Sequence, residues 1–310
     1  MQRYSKKIDM LLLDLAWSFW TELGVRAEGR ENHHDFLIDL EALILLTTVL
    51  AEVDARLRDE SLDWCAKYHR FVSTTRLKTV AKMLSPEAED SFSLYSVTLN
   101  SISRASWPTL VDKQPLAVSL SHKSVLRPLK SPALMNIRAR SIFGTGGRAD
   151  VITFFLMHSS SNFSALDLSM IGYSKRNIAE ILDELCLGGI LNKMLVGNQQ
   201  RYYAIKNERL SGILNPIPRY APAWPLILEI IVKIRESVRR AEGKTDTLRA
   251  IEIRNVMALL EPKLNRLKLA LPSMSENFSS YWTDFEEWFL GFLNRLAQGN
   301  FPDKFYLYQT

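Results

Sequence analysis

Apolar residues fall at helical intervals over most of this chain. Leu43, Leu46 and Leu50 predict a helix over residues 39–52, and Leu62, Cys65 and Ala66 predict one over 58–69. Residues 73–84 open on Ser-Thr, whose hydroxyls suit an N-cap, and repeat Leu77, Val80, Ala81 and Leu84. At the N-terminus Arg3, Lys6 and Lys7 precede a short apolar run over 10–13. Asp9 and Asp14 interrupt it and no small-residue cleavage site follows. It therefore reads as an amphipathic first helix, not a secretion signal. In the last ninety residues Pro225 suits the first turn of a helix reaching about residue 241, with Leu226, Ile227, Ile230, Ile231, Ile234 and Val238 as its buried stripe. A second helix covers 247–260, and Pro262 predicts a break or restart before 264–269. A third covers 276–297. Its stripe of Phe278, Tyr281, Trp282, Phe285, Trp288, Phe289, Phe292, Leu293 and Leu296 belongs to a core or a dimer interface.

The pattern lapses between residues 104 and 143. Four of the twelve prolines, Pro108, Pro115, Pro128 and Pro132, fall there, and proline supplies no backbone donor. The stretch reads as a Pro-containing linker ending in a helix over 133–143. Across residues 91–148 eight basic residues stand against the single acid Asp112. Lys123, Arg127 and Lys130 lie within eight residues of one another, so the linker is a candidate for sequence-independent phosphate contacts.

Residues 144–208 carry the most information. An apolar helix over 148–158 is followed by Ser164, which caps a short helix over 165–170. Gly172 makes a turn, and Ser174 caps a helix over 175–187 with Ile178, Ile181, Leu182 and Leu185 inward. Gly188-Gly189 ends it. Two β-prone runs, 190–196 and 201–205, flank a turn at 197–199 and make a hairpin.

Three helices and then a hairpin is an order similar to that of the winged helix-turn-helix transcription regulators of the MarR and ArsR type. The resemblance rests on Ile171-Gly-Tyr-Ser-Lys-Arg-Asn-Ile178, on Leu182-Asp-Glu-Leu-Cys-Leu-Gly-Gly-Ile-Leu191 and on Arg201-Tyr-Tyr203, and it covers about 60 of the 310 residues. It implies a recognition helix that enters the major groove by its first turn. Tyr173, Ser174, Lys175, Arg176 and Asn177 occupy that turn. Arg can pair two-fold with guanine and Asn with adenine, and the capped helix start offers donors to a phosphate. Asn198, Gln199, Gln200 and Arg201 form the wing tip expected to reach backbone or minor groove. Against this, a 100° step per residue turns Glu180 and Asp183 outward, with Glu184 beside them, and sets Arg176 one turn from Glu180. Residues 173–206 hold five basic residues against three acidic ones. The alternative is therefore a winged helix that docks protein, as an antitoxin or an assembly subunit. A weak echo lies upstream: Ser73 is followed by Leu77, Val80, Ala81 and Leu84 at the offsets that Ser174 shows, with Arg76, Lys78 and Lys82 nearby. A second helix-turn-helix over 58–84 fits those offsets, although any capped amphipathic helix shows them, and that plainer reading is the favoured one.

Composition narrows the classes. The chain is 47% hydrophobic with seven Trp, 24% charged, and carries a formal charge of +5. Such a chain has apolar surface for a core. The mild basic balance permits a nucleic-acid partner without requiring one. Cys65 and Cys186 are isolated, which suits a reducing cytoplasm. No run reaches the ~18 apolar residues of a membrane span. His33-His34 are adjacent and so diverge on a helix. His158 closes an apolar helix, where a dipole partner is expected. Gly144-Thr-Gly-Gly147 lacks the length and the Lys-Ser/Thr ending of a phosphate loop. No hydrolase, zinc or redox motif is found, so neither enzyme activity nor a cofactor or metal is expected.

The expectation is thus a mostly α protein: an N-terminal helical domain over 1–103, the linker and connecting helix over 104–143, a winged helix-turn-helix over 144–208 and a C-terminal helical domain over 221–310. Its expected role is a cytoplasmic, sequence-specific regulator of transcription, a repressor acting as a homodimer on double-stranded DNA, with any effector unidentified. Paired half-sites need two copies, which favours burying the 276–297 stripe across a two-fold axis.

Overall fold

Four short polar side chains decide where the N-terminal helices start. A computed structural model describes residues 4–26, 36–158, 161–205, 208–269 and 278–299. After α1 (Tyr4–Glu22), the Asp39 carboxylate accepts from the Ala42 amide and opens α2 (Leu40–Leu50). Asp54 accepts from Leu57 and opens α3 (Ala55–Tyr68), and Ser73 does the same from Arg76 for α4 (Thr74–Ala81). Ser85 caps α5 (Pro86–Ile102), where Pro86 takes a first-turn position that has no donor to lose. The inner face of α5, which the sequence expectation leaves out, carries Ala88, Phe92, Tyr95 and Leu99 at helical spacing and, beside them, the buried hydroxyls of Ser93, Ser96 and Thr98.

Those hydroxyls hold down the next segment. Residues 104–131 form neither helix nor strand. The Ser93 hydroxyl accepts from the amides of Leu110 and Val111, each at 3.0 Å, and Thr98 accepts from Leu116. Further on, the Asp63 carboxylate accepts from the amides of His122 (2.8 Å) and Ser124 (3.0 Å), and the Val125 amide donates to the Gly24 carbonyl. The basic linker is therefore a strap tied along α3 and α5. Gly24 has a φ of +94°, and a Cβ there would lie 1.9 Å from the Val125 oxygen, so only glycine allows the approach.

The chain continues with α6 (Met135–Phe143), α7 (Gly147–Met157), the short strand β1 (Asn162–Phe163), α8 (Ala165–Leu168), α9 (Lys175–Leu187), the hairpin of β2 (Leu191–Val196) and β3 (Gln199–Ala204), and α10 (Glu208–Leu214). The three strands form one antiparallel sheet in the order β1-β3-β2, leaving β2 at an edge. Val196 pairs with Gln199, so the turn has two residues, with Gly197 at φ +58° in the first. The chain ends in α11 (Trp224–Ala241), α12 (Asp246–Arg266) and α13 (Phe278–Ala297).

Two apolar cores divide these elements. The first joins α1–α5 with α11–α13, so the segments read as separate N- and C-terminal domains share one interior. The second comprises Met135 and Ala139 of α6 with α7, α9, Phe163, Leu191, Tyr202 and Leu214. Two expectations are corrected. Helix α12 runs through Pro262 without a break: Leu260 and Leu264, on either side of it, are fully buried, and that packing outweighs a lost backbone bond of roughly 3 kcal/mol. The α13 stripe is covered within the chain by α1 and α12, with Tyr4 edge-on to Trp282 at 5.6 Å, and Phe285, Phe289 and Phe292 buried. Among the described residues the stripe is thus taken up by the chain's own core, so the expected burial across a two-fold axis is not needed to cover it. His33 and His34, expected to diverge on a helix, lie outside the described residues. Among the described residues no helix is long and apolar enough to cross a membrane, and no three His, Cys, Asp or Glu side chains are grouped to hold a metal.

Candidate nucleic-acid interface

Helix α9 is the most strongly two-sided element of the second core. Ile178, Ile181, Leu182 and Leu185 are buried. The Ser174 side chain accepts from the Asn177 amide at 3.2 Å and so satisfies one orphan donor of the first turn. Ser174, Lys175, Arg176 and Asn177 are all exposed, and Arg176 is 91% exposed. The expected reading turn is thus assembled, with one exception.

Tyr173 is buried, which removes it from any surface contact. Its hydroxyl donates to Asp150 Oδ2 at 2.8 Å and lies 3.2 Å from the Ser73 hydroxyl. The turn before it docks on α4: at Gly172, with φ +97°, a Cβ would meet Val80 at 2.9 Å and Arg76 at 3.1 Å. Sequence spacing put Tyr173 in the polar first turn. A carboxylate 23 residues earlier draws it inward instead.

That carboxylate belongs to a buried charge network which motif reading missed. Arg140 donates from Nε and Nη2 to Asp150 and from Nη1 and Nη2 to Glu41, all between 2.7 and 2.9 Å. Arg76 donates to Asp39 and Glu41 and, at 2.5 Å, to the carbonyl of Ile171. Burial works against charge on both guanidiniums, but the facing carboxylates outweigh it and hold both well above the ordinary arginine value. Burial likewise raises Asp150, and Arg140 beside it wins and lowers it. The network ties α2, α4, α6 and α7 to the turn that starts α9, so α9 is anchored where the two cores meet. It also occupies Arg76, which leaves Lys78 and Lys82 as the exposed cations of α4. The sequence signal available was a charged residue set inside an apolar window, such as Glu41 in the 39–52 helix.

The outward acids of α9 each meet a cation. Glu180 accepts from Arg176 Nε at 3.0 Å, Asp183 from Lys193 at 2.9 Å and Glu184 from Arg148 at 2.5 Å. Exposed pairs of this kind are screened by solvent and add little to stability, so they are easily exchanged for another partner. In the wing, Asn198, Gln199 and Gln200 are exposed. Arg201 is half-buried, and its Nη1 donates to the Asn162 carbonyl and side-chain oxygen at 3.2 Å. One arm of this side chain, expected at the wing tip, is thus engaged in tying β3 to β1. The tip is more apolar than its polar residues suggest: Leu195 is 71% exposed and Leu187, at the end of α9, 90%.

Of the linker cations, Lys123, Arg127 and Lys130 are exposed, as expected. Lys123 and Arg127 share a cleft with Arg26 and Arg56, and Lys130 is not part of it. Among the described residues no shared cavity and no hydrogen bond or ion pair joins these cations to the α9 turn. His158 ends α7 with its Nδ1 2.8 Å from the Phe154 carbonyl, and burial pushes its pKa down, so it sits there as a neutral ring rather than a cation. A cavity of about 70 Å³ beside the network, lined by Thr153, Phe154, Met170 and Trp224, has room for a few waters and not for a nucleotide-sized cofactor. Compared with protein-family models, with curated proteins and with solved structures, the chain matches none.

Proposed function

We propose that residues 144–208 form a winged helix and that the protein is a sequence-specific DNA-binding regulator of transcription, a cytoplasmic repressor working as a homodimer. One observation carries the reading: Ser174, Lys175, Arg176 and Asn177 project together from the capped first turn of a helix whose opposite face is wholly buried. Such a turn is unobstructed, donor-rich and rigidly seated, as major-groove reading requires. The element order and the exposed Asn198-Gln199-Gln200 tip support it. Two copies would present their α9 turns about 34–36 Å apart on a symmetric site. The test is selection of bound sequences from random duplex DNA, followed by Arg176→Ala and Asn177→Ala. Each should weaken the selected site by about 1–3 kcal/mol and flatten discrimination. Equal loss on selected and random duplex would assign these side chains to the backbone.

A second reading is favoured by Leu187, Leu195 and Val196, exposed apolar side chains on α9 and the edge strand β2. On that reading the same unit docks a protein partner. Enrichment of no sequence, with DNA affinity unaffected by Arg176→Ala, would support it.

A further inference from the structure

Among the described residues, a cluster of unassigned positive charge lies away from α9. Arg26 follows the end of α1, Arg56 stands on the first turn of α3, and Lys123 and Arg127 come from the strap. They line one cleft of about 390 Å³ together with Thr21, Val25 and Glu60. Four cations face one carboxylate, an excess of three positive charges. Among the described residues none of the four has a carboxylate at ion-pair distance. Glu60 is itself engaged, accepting from the Ser121 hydroxyl at 3.0 Å. The Arg56 guanidinium rests over the Trp17 ring, 5.3 Å from its centroid, which fixes its stem while leaving its donors open.

The cleft is built, not a chance gathering of mobile lysines. The backbone on either side of Lys123 is tied: the His122 and Ser124 amides donate to Asp63, Lys67 donates to the Ser124 carbonyl at 3.1 Å, and the Leu126 amide donates to the Tyr68 hydroxyl at 3.1 Å. His122 has a φ of +55°, a left-handed conformation that a non-glycine residue keeps only when its surroundings impose it, and such residues gather at ligand clamps. Like charges held together in this way repel one another, and an anion carrying several acceptor oxygens relieves that repulsion. Arginine's planar fork fits the oxygens of a phosphate two at a time, and lysine adds a point charge.

We propose that this cleft is a phosphate-binding site in which Arg26, Arg56, Lys123 and Arg127 hold one phosphate or a linked pair. The phosphate is carried either by a nucleic-acid backbone or by a free phosphate compound; the chemistry of recognition is the same. The site does not depend on base reading by α9.

The test uses the full chain at fixed ionic strength with pyrophosphate as the probe, followed by titration calorimetry. One pyrophosphate per chain should bind, Lys123→Gln/Arg127→Gln should weaken it at least tenfold, Arg127→Lys should keep part of the affinity, and Arg176→Ala should leave it unchanged. A second arm measures affinity for random duplex DNA against salt. A drop of just under 2 in the slope of log K on log salt for the double variant, at about 0.9 per phosphate, assigns the phosphate to a nucleic-acid backbone. An unchanged slope with lost pyrophosphate binding assigns it to a free phosphate compound. If the double variant binds pyrophosphate like the parent, or neither binds it, and the salt slope is also unchanged, the proposal is wrong.

Discussion

Arginine plays opposite parts in two regions of this protein. At the junction of the cores, Arg76 and Arg140 are buried and saturated by Asp39, Glu41 and Asp150. In the cleft under the strap, Arg26, Arg56 and Arg127 are exposed and, among the described residues, meet no carboxylate. The first α9 turn lies between these extremes, with Arg176 exposed yet held by Glu180. All six count equally toward the formal charge of +5. Net charge therefore says little about where a partner is met. What counts is whether each cation has already found its carboxylate inside the fold.

The buried end of the comparison breaks hardest. Arg140→Met leaves Glu41 and Asp150 buried without their main counter-charge, and removing one partner of a buried pair typically costs about 3–5 kcal/mol. Urea denaturation should show a loss of that size. The double variant Glu41→Gln/Arg140→Met should cost less than the two single losses together, because the pair is one unit. Additive losses would mean that the network is not the clamp it looks to be.

The strap is the next largest target. Gly24→Ala puts a methyl group onto the Val125 carbonyl and a side chain at φ +94°. The cost should be about 1–3 kcal/mol. Limited proteolysis should open the 107–131 segment first, because its backbone then loses its attachment to the end of α1. Cleavage confined to other segments would show that the hydroxyls of α5 hold the strap without Gly24.

Acid should loosen the same strap. Burial raises Asp63, but the amides of Ser124 and His122 and the Lys67 ammonium prevail and bring it below its ordinary value. A carboxylate lowered by folding stabilises the fold above its unfolded value of about 3.9 and loses that contribution as pH falls through the lowered one. Strap protection in hydrogen exchange should therefore hold at neutral pH and fade on acidification below about pH 4. In Asp63→Asn it should be weak throughout and lose that pH dependence.

Much of this arrangement was legible in the residues, and the exceptions have physical causes. The α9 cap at Ser174, its stripe and the hairpin follow from local chemistry, and the structure bears out each of them. The expectation left out helix α5 although Ala88, Phe92, Tyr95 and Leu99 recur there at helical spacing behind Ser85-Pro86; what only the fold shows is that Ser93 and Thr98 satisfy strap amides. Tyr173 and Arg76 were misplaced for one reason: each is drawn inward by Asp150 or Asp39, partners far away in sequence. The cleft was half visible. Lys123 and Arg127 stood out as a basic run, while Arg26 and Arg56 join them only through the fold.

The smallest expected effect probes the middle case. The Arg176–Glu180 pair is exposed on one helix at i,i+4, so it contributes about 0.3–0.5 kcal/mol to stability. Glu180→Gln should leave the thermal midpoint almost unmoved. It should matter more for binding. Neutralising Glu180 frees the Arg176 guanidinium and removes a negative charge that would face phosphates, so affinity for a selected duplex should rise several-fold, most clearly at low salt where screening is weak. The gain should vanish in Arg176→Ala/Glu180→Gln relative to Arg176→Ala if it acts through the freed arginine, and persist if it acts through general repulsion. Weaker DNA binding in Glu180→Gln would set this face apart from a groove-reading surface and align it with protein docking, where the ordered Arg176–Glu180 pair is itself the feature recognised.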